Sequence, residues 1–369
     1  MASGLGHTEA VPWRINATTG VSQNSCGVKT RSMRLEVIRE IQRERAGASQ
    51  PLYPTPESLP TVKPEDGNPV SLKRRLMQSL APVAFPLKSM RCRMSHQVLF
   101  SDWKHRLTLG YRFSEEWLTR RFHQEIGSME GRRVLIPGTH FNTREARRWF
   151  GRPASELHLL DIVDWSPAFA AGAAELERLC RPKLSFHHGT LDKLPLADGA
   201  VDVMESCAVL EHVGNMKDSA KEMARILSPD GLALHRFGPL YFTHGGDHCS
   251  AALGLDHGYD HLLLDDAAYM QQLQDSERYD CLGKEASDSR YWALQGIFSF
   301  LKPQEYLDAF TPWFDLVEVL TIVSEEALAF RSARPDLWKN LLNAGLEEKD
   351  LLIGSMSVIL RKRRADAAH

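Results

Sequence analysis

Two runs of sequence decide the fold: LPLADGAVDVMESCAVLEHV at residues 194–213 and ARILSPDG at residues 224–231. The Asp198-Gly199 pair is a turn signal that stands directly before an apolar run. That run, residues 201–206, alternates valine with Asp and Met and predicts a buried strand. Pro229-Asp230-Gly231 then turns the chain out of a helix and into the next strand.

The same alternation of short apolar runs and helical patterns continues on both sides. The predicted strands are residues 134–136, 157–163, 184–187, 201–206 and 232–237, and the predicted helices are residues 143–150, 168–179 and 220–227. Alternation of this kind is typical of an α/β fold with a doubly wound, mostly parallel sheet. In such folds ligands bind beyond the carboxyl ends of the strands.

The chain divides by pattern into three units. Residues 1–70 are rich in proline and polar residues, so we expect a poorly structured or wrapping segment. Residues 71–130 are predicted to be helical, with Ser114 as an N-cap, and either pack simply or form a lid over a ligand. Residues 131–369 form the main domain, with an insertion at about 238–300.

Composition limits the classes of partner. The chain has 369 residues, 43% hydrophobic residues and a net charge of −2, which is typical of a globular protein and predicts neither a nucleic-acid nor a membrane partner. Its six cysteines include no C-x-x-C pair, so no disulfide framework is expected. No signal peptide or membrane-length apolar run is evident, and a cytoplasmic location is predicted.

The two opening runs resemble the S-adenosylmethionine (SAM)-dependent methyltransferases of the type 11 family. That family has L-P-f-x-d-x-x-f-D-x-V, then V-L-E-H-v, then a-R-v-L-k-P-G-G, and Asp230 stands here in place of the first glycine of the last motif. Gly238-Pro239-Leu240-Tyr241 and His248 resemble a segment of one subgroup. The resemblance implies a Rossmann-like, seven-stranded, mostly parallel sheet with an N-terminal helical extension, SAM as cofactor and a small-molecule substrate.

The loop after the first strand departs from the family. A glycine-rich loop is expected there, because glycine lets the backbone approach the cofactor closely. This chain has Ile136-Pro137-Gly138-Thr139-His140-Phe141-Asn142, in which only Gly138 is retained. Asn142 can adopt a left-handed conformation at low cost and so partly replace a glycine. The change implies altered placement of SAM or loss of its binding.

The resemblance nevertheless implies a set of cofactor-binding positions. They are Gly138, Thr139, Asn142, Asp161, Asp164, Trp165, Thr190, Leu191, Asp192, Ser206 and Cys207.

Two of these assignments have alternatives. For the ribose hydroxyls, Asp164 matches the family's D-x-S-P best, whereas Asp161 fits the usual spacing; Asp164 is favoured, and either residue could instead cap the following helix. For adenine, strict register selects Thr190, Asp192 could substitute for it, and Leu191 is expected to pack on the ring.

Candidate catalytic residues are fewer. Methyl transfer requires alignment of the reactants and sometimes a base, and His212 follows the strand at residues 201–206. Ser206, Asn142 and His140 are further candidates. The spacing of His244 and His248, like that of His257 and His261, allows metal ligation, but ordinary hydrogen-bonded histidines are favoured and no metal is predicted.

Three functions remain open from the sequence. Methyl transfer from SAM to an oxygen or nitrogen atom of a small molecule is favoured. The rebuilt loop at Gly138–Asn142 motivates the second, in which Asn142 and Ser206 hold SAM while it cyclises to azetidine-2-carboxylate and methylthioadenosine. The third is a non-catalytic methyltransferase-like partner protein, and a homodimer is allowed in each case.

Overall fold

A single sheet forms the centre of the computed structural model, which describes residues 38–39, 42–43, 72–111, 113–138, 153–167, 181–275 and 298–364. Its strands are β1 (Arg106–Leu109), β2 (Arg133–Pro137), β3 (Glu156–Asp161), β4 (Lys183–His188), β5 (Val201–Cys207), β6 (Leu227–Phe237), β7 (Phe314–Val323) and β8 (Ile353–Lys362). Their order across the sheet is β1-β7-β8-β6-β5-β2-β3-β4.

Strand direction confirms the predicted Rossmann-like class. β8 runs antiparallel to β6 and β7, and every other neighbouring pair of strands is parallel. The chain moves outward from β2 through β3 to β4, and then returns to the other side of β2 to add β5 and β6. This reversal creates a topological switch point between β2 and β5, where open α/β sheets bind ligands.

The sheet has eight strands rather than the predicted seven. The additional strand, β1, lies within the segment expected to be helical and pairs in parallel with β7. Its Leu107 and Thr108 are fully buried, and Trp103 donates a hydrogen bond from Nε1 to Thr321 Oγ1 on β7. Four residues of sequence RLTL are too short to show a period, so only pairing with β7 reveals the strand.

Helices surround the sheet on both faces. Among the described residues they are α1 (Leu72–Ser95), α2 (Ser114–Ile126), α3 (Met216–Ile226), α4 (Asp260–Leu263), α5 (Asp266–Asp275), α6 (Pro303–Phe310), α7 (Glu325–Ala333), α8 (Pro335–Asn343) and α9 (Glu348–Leu352). In this part of the chain no helix combines the length and hydropathy needed to cross a membrane.

Helix α2 begins one residue away from the prediction. Ser114 is its first residue and donates its hydroxyl to the Tyr111 carbonyl, so it is not the N-cap. Phe113 occupies the N-cap position with a φ of 66°. The predicted buried face is present, because Leu118 and Phe122 are buried against the sheet.

The hydrophobic core lies on both faces of the sheet, and β2 shows the division. Val134 and Ile136 pack in the cluster that contains Phe122 of α2, whereas Leu135 between them packs in the larger cluster that contains Met223 of α3. Strands buried on both faces in this way are typical of parallel sheets covered by helices.

The residues that the sequence placed in a turn after α3 lie within β6, at an irregularity where Val201 pairs with Leu227 and Val203 with Leu232. Asp230 has a φ of 64°. Glycine is usual in such a left-handed conformation, but aspartate tolerates it better than most residues do. The Asp230 carboxylate also accepts two hydrogen bonds from the guanidinium of Arg364, at 2.8 and 2.7 Å.

Candidate functional site

The sequence-predicted residues within the described part of the chain gather at one edge of the sheet. β2, β3, β4 and β5 end there at Pro137, Asp161, His188 and Cys207. Gly138, Thr190 and His212 follow three of these strand ends within a few residues. Thr139, His140 and Asn142 lie outside the described residues, so their assignments stay predictions.

Gly138 occupies a position that only glycine fits. Its φ is 68°, and its backbone N–H donates to the Leu160 carbonyl at 2.8 Å. A Cβ added there would lie 2.3 Å from Cγ2 of Val209, which is well inside contact distance. The backbone of the first loop therefore lies directly against the segment that follows β5.

Both acidic candidates for the ribose are half-buried and shape the turn after β3. Asp161 Oδ1 accepts a hydrogen bond from the Val163 N–H at 3.0 Å. Asp164 Oδ1 accepts one from the Ser166 N–H at 2.9 Å, where the next helix begins. Trp165, between Asp164 and Ser166, is buried. Asp164 thus forms a local turn at the start of this helix, and which carboxylate binds a ligand stays a prediction.

The loop after β4 contains a buried acceptor without a donor. Thr190 and Leu191 are buried, and the N–H of Gly189 donates to the Asp161 carbonyl at 3.0 Å, which ties this loop to β3. Asp192 Oδ1 is buried and has no hydrogen-bond partner among the described residues. A buried acceptor in this state is destabilising unless another molecule supplies the donor.

Ser206 and Cys207 at the end of β5 have different surroundings. The Ser206 side chain is fully buried, and its Oγ lies 2.7 Å from Nδ1 of His235 on β6. Burial lowers the pKa of His235 to about 3, so its ring is neutral at physiological pH. Cys207, the next residue, is exposed and is not disulfide-bonded. Cys207 thus faces the edge, whereas the hydroxyl of Ser206 faces the interior, and the role predicted for Ser206 stays a prediction that this placement does not favour.

His212 lies in a cluster of rings at the switch point. Its ring centroid is 5.1 Å from that of His248 and 5.6 Å from that of Phe298. The His248 ring lies 5.5 Å from Phe298, and Tyr241 packs on the other side of Phe298 at 5.2 Å. These four rings, which we call the ring cluster, bring together residues that are 86 positions apart in sequence, from His212 to Phe298.

The charge state of His248 follows from its position. Its side chain is exposed to solvent, yet enough protein surrounds it that desolvation, followed by the neighbouring His212, lowers its pKa to about 4. His248 is therefore neutral near pH 7, and its backbone has a φ of 64°. A neutral imidazole can accept or donate a hydrogen bond to a polar ligand.

Sequence reasoning passed over Glu211, although the residue stands directly before His212 in the quoted motif. The side chain is buried, and no side chain among the described residues forms a hydrogen bond with its carboxyl oxygens. Burial outweighs the nearby backbone N–H groups of Glu211 and Gly238 and raises its pKa to about 8. The carboxyl group is thus mostly protonated at neutral pH. The signal available in the sequence was an acidic residue within an otherwise apolar motif, since buried carboxylates without partners are rare and cluster at functional sites.

A buried network of polar residues is hydrogen-bonded to the backbone of Tyr241 in the ring cluster. His261 donates from Nε2 to the Tyr241 carbonyl at 2.8 Å. Its Nδ1 faces Asp247, which accepts hydrogen bonds from Ser250 and from the hydroxyl of Tyr269 at 2.7 Å. Burial opposes the charge of Asp247, but His261 and these hydrogen bonds lower its pKa below the ordinary value.

The histidine pairs are arranged for hydrogen bonding. His244 Nε2 donates to the Leu255 carbonyl at 2.9 Å, and His257 Nδ1 pairs with Asp260 at 2.7 Å. Among the described residues no group of three or more His, Cys, Asp or Glu is placed to hold a metal ion. Cys249 takes part in a disulfide bond, which the cysteine spacing did not predict.

Known proteins resemble this chain in the segment that builds the site. Residues 130–235 match the family described as "Methyltransferase domain". A curated protein of Mycolicibacterium smegmatis, named as a probable S-adenosylmethionine-dependent methyltransferase, is 38% identical over 53 residues, which are 14% of this chain. The matched segment spans only 21% of that relative.

Solved structures of similar proteins include two methyltransferases. An S-adenosylmethionine-dependent methyltransferase from Mesorhizobium loti is 19% identical, with a TM-score of 0.37 over 67% of this chain and 97% of its own. The geranyl diphosphate C-methyltransferase from Streptomyces coelicolor is 12% identical, with a TM-score of 0.38 over 68% of this chain and 81% of its own.

The family match begins just before β2 and ends within β6, so it covers the strands whose carboxyl ends form the switch point. It thereby confirms the resemblance that the sequence carried. In residues 130–235 the chain is similar to the methyltransferase domain family.

Proposed function

We propose that the protein is a SAM-dependent methyltransferase that acts on an oxygen or nitrogen atom of a small molecule. The observation that carries the proposal is the methyltransferase-domain match to the strands β2 to β5, at whose ends Gly138, Asp161 and the buried Asp192 oxygen converge. Hydrogen bonds from Gly138 to β3 and from Gly189 to Asp161 tie these three strand ends together.

The residues present fit the cofactor. The Asp192 oxygen without a donor would accept a hydrogen bond from the adenine amino group, and Leu191 beside it supplies an apolar surface. Asp164 or Asp161 would accept hydrogen bonds from the ribose hydroxyls. Gly138 leaves room for close approach to the backbone. When bound, SAM supplies a methyl group activated by its sulfonium sulfur.

In this proposal the ring cluster surrounds the acceptor during methyl transfer. Phe298 and Tyr241 exclude water from the acceptor, which strengthens polar interactions inside the site. His212 takes up the proton that the acceptor loses, and the neutral His248 ring beside it orients the acceptor by a hydrogen bond. Glu211, the residue before His212, adds a buried and mostly protonated carboxyl group.

Binding and product analysis with the full-length protein test this function. SAM titrated calorimetrically should bind, and SAM incubated alone should remain intact by mass spectrometry. Transfer of labelled methyl from SAM to members of a small-molecule library should then identify the acceptor. Methylthioadenosine together with a cyclic amino acid would instead establish the SAM-cyclising alternative, and absence of SAM binding would establish the non-catalytic one.

A pair of variants makes the binding test specific. Asp192→Asn replaces one carboxylate oxygen by an amide donor and should weaken SAM binding about tenfold, corresponding to one hydrogen bond to a charged group. Asp315→Asn is the control, because Asp315 lies at the start of β7, on the opposite edge of the sheet, and pairs only with the exposed Arg363. Equal affinities in both variants would remove Asp192 from the site.

A further inference from the structure

Helix α1 carries a continuous apolar stripe that points into solvent. Six of its apolar side chains are between 57% and 84% exposed: Leu72, Leu76, Val83, Leu87, Met90 and Met94. At 100° per residue these positions fall within one narrow sector of the helix. Val98, in the turn that follows, is 91% exposed and extends the stripe.

The opposite face of α1 anchors the helix to the protein. Ala81, Phe85 and Cys92 are buried, and Phe85 packs on Trp117 of α2 with ring centroids 4.8 Å apart. Arg93 donates to the carbonyl groups of Trp103 and His105. Because this face holds the helix in place, the stripe is a fixed feature of the surface.

Charge distinguishes α1 from the rest of the chain. The helix, LKRRLMQSLAPVAFPLKSMRCRMS, contains six Lys or Arg residues and no Asp or Glu, whereas the whole chain has a net charge of −2. By helix rotation Lys73 and Arg91 lie on one flank of the stripe and Arg75 on the other. All three are exposed, and none forms an ion pair with another described residue. The net charge of the whole chain, from which no membrane partner is expected, hides this local excess of positive charge on α1.

We propose that α1 binds the surface of an anionic lipid bilayer, with its apolar stripe inserted at the boundary between headgroups and acyl chains. A helix with an apolar face flanked by Lys and Arg has the features of interfacial helices. The exposed basic residues Lys73, Arg75 and Arg91 would then contact anionic headgroups, each contributing through the negative surface potential of the membrane. This inference does not depend on the proposed function.

A second copy of the chain fits this face less well. Two such helices would bring together two sets of the exposed cations Lys73, Arg75 and Arg91, and the helix has no carboxylate to balance them. In addition, Pro82 and Pro86 lie inside α1. Each removes a backbone hydrogen bond and disfavours the regular helix that a coiled-coil seam requires. Charge complementarity therefore favours an anionic surface.

Vesicle co-sedimentation of the full-length protein tests the proposal. We expect binding to vesicles of phosphatidylcholine mixed with phosphatidylserine, little binding to phosphatidylcholine alone, and loss of binding as salt is raised. The Leu76→Glu/Leu87→Glu variant and the Lys73→Glu/Arg91→Glu variant should each partition at least about tenfold more weakly. Unchanged thermal unfolding would show that these surface variants remain folded.

Matched controls make the same kinds of substitution at exposed residues outside α1. Leu255→Glu alters another exposed leucine and Lys217→Glu another exposed lysine, and both should bind vesicles as the wild type does. Failure of the wild type to bind phosphatidylserine vesicles would overturn the proposal. So would a concentration-dependent dimer that the Leu76→Glu/Leu87→Glu change abolishes while vesicle binding persists, since the stripe would then belong to self-association.

Discussion

The hydroxyl oxygen of Ser206 lies 2.7 Å from Nδ1 of His235, at directly paired positions of β5 and β6. Both side chains are fully buried. This bond favours a packing role for Ser206 between two central strands over the ligand-facing role that the sequence suggested.

Loss of that hydroxyl should therefore affect stability rather than binding. Ser206→Ala leaves a buried ring nitrogen of His235 without a partner and should lower the free energy of unfolding by about 1–3 kcal/mol. Urea unfolding measures this change, and calorimetry should find SAM affinity unaltered. Cys207→Ala, at the exposed neighbouring position, should leave stability unchanged. A large loss of SAM affinity at normal stability in Ser206→Ala would restore the ligand role.

Burial of Glu211 predicts a defined dependence of stability on pH. Its pKa is raised to about 8 in the folded protein, so between about pH 4.5 and pH 8 the unfolded chain releases this proton while the folded chain retains it. The group therefore destabilises the fold increasingly as pH rises through this window. Glu211→Gln should be more stable than the wild type above pH 8 by a few kcal/mol (~3–5), and the advantage should vanish near pH 4.

Asp202 provides a control of opposite sign. Burial opposes its charge, but hydrogen bonds from Arg133 lower its pKa below the ordinary value, with Nη2 to Oδ1 at 2.9 Å. Asp202→Asn should be less stable than the wild type at neutral pH, and the difference should shrink as pH falls below about 4. If the stability difference between variant and wild type changed with pH in the same direction for both variants, the raised pKa of Glu211 would be refuted.

Gly138 and Gly131 allow backbone strain to be compared with steric contact, because their φ angles are 68° and 71°. A Cβ at Gly131 meets nothing within 4 Å, whereas one at Gly138 meets Val209. Gly131→Ala should cost about 1 kcal/mol, and Gly138→Ala a further 1–3 kcal/mol or so. Adding Val209→Ala to Gly138→Ala should recover part of the loss in thermal unfolding. No recovery would mean that the loop avoids Val209 by shifting.

The two acidic candidates after β3 can be ranked by binding. Asp164→Ala should weaken SAM binding more than Asp161→Ala, because Asp164 matches the family's D-x-S-P position. Both variants lose one hydrogen bond within the turn, so the structural cost is similar. Calorimetric titration of SAM measures the order, and the reverse order would select Asp161 at the end of β3.

Activity should depend on His212 once an acceptor is known. His212→Ala should lower kcat about 100- to 10,000-fold, the usual contribution of a positioned acid or base, with SAM affinity largely kept. His257→Ala is the matched control, since its ring is half-exposed and pairs with Asp260 outside the ring cluster. A kcat near the wild-type value in His212→Ala would leave His212 a structural member of the ring cluster.

Strands and helices could be predicted from the sequence wherever consecutive residues carry the pattern that defines them. Strand β5 runs from Val201 to Cys207, one residue longer than predicted, because its alternation and the turn before it are written in consecutive residues. The turn predicted at residues 229–231 was wrong, because these residues lie at an irregularity within β6. Strand β1 was missed because its four residues form a strand only by pairing with β7, more than 200 residues later in the chain.

The site divides in the same way. The order of the motifs in the sequence showed which residues lie at or just after the carboxyl ends of the strands. It therefore determined that Gly138, Asp161 and His212 lie at the same edge of the sheet. It did not determine the direction of Ser206, because β5 is buried on both faces and its alternation has no solvent side. Only the tertiary structure placed His248 and Phe298 beside His212 and buried the carboxyl group of Glu211. Contacts between distant residues depend on how packed elements exclude water, and that is a property of the assembled fold rather than of any local run of residues.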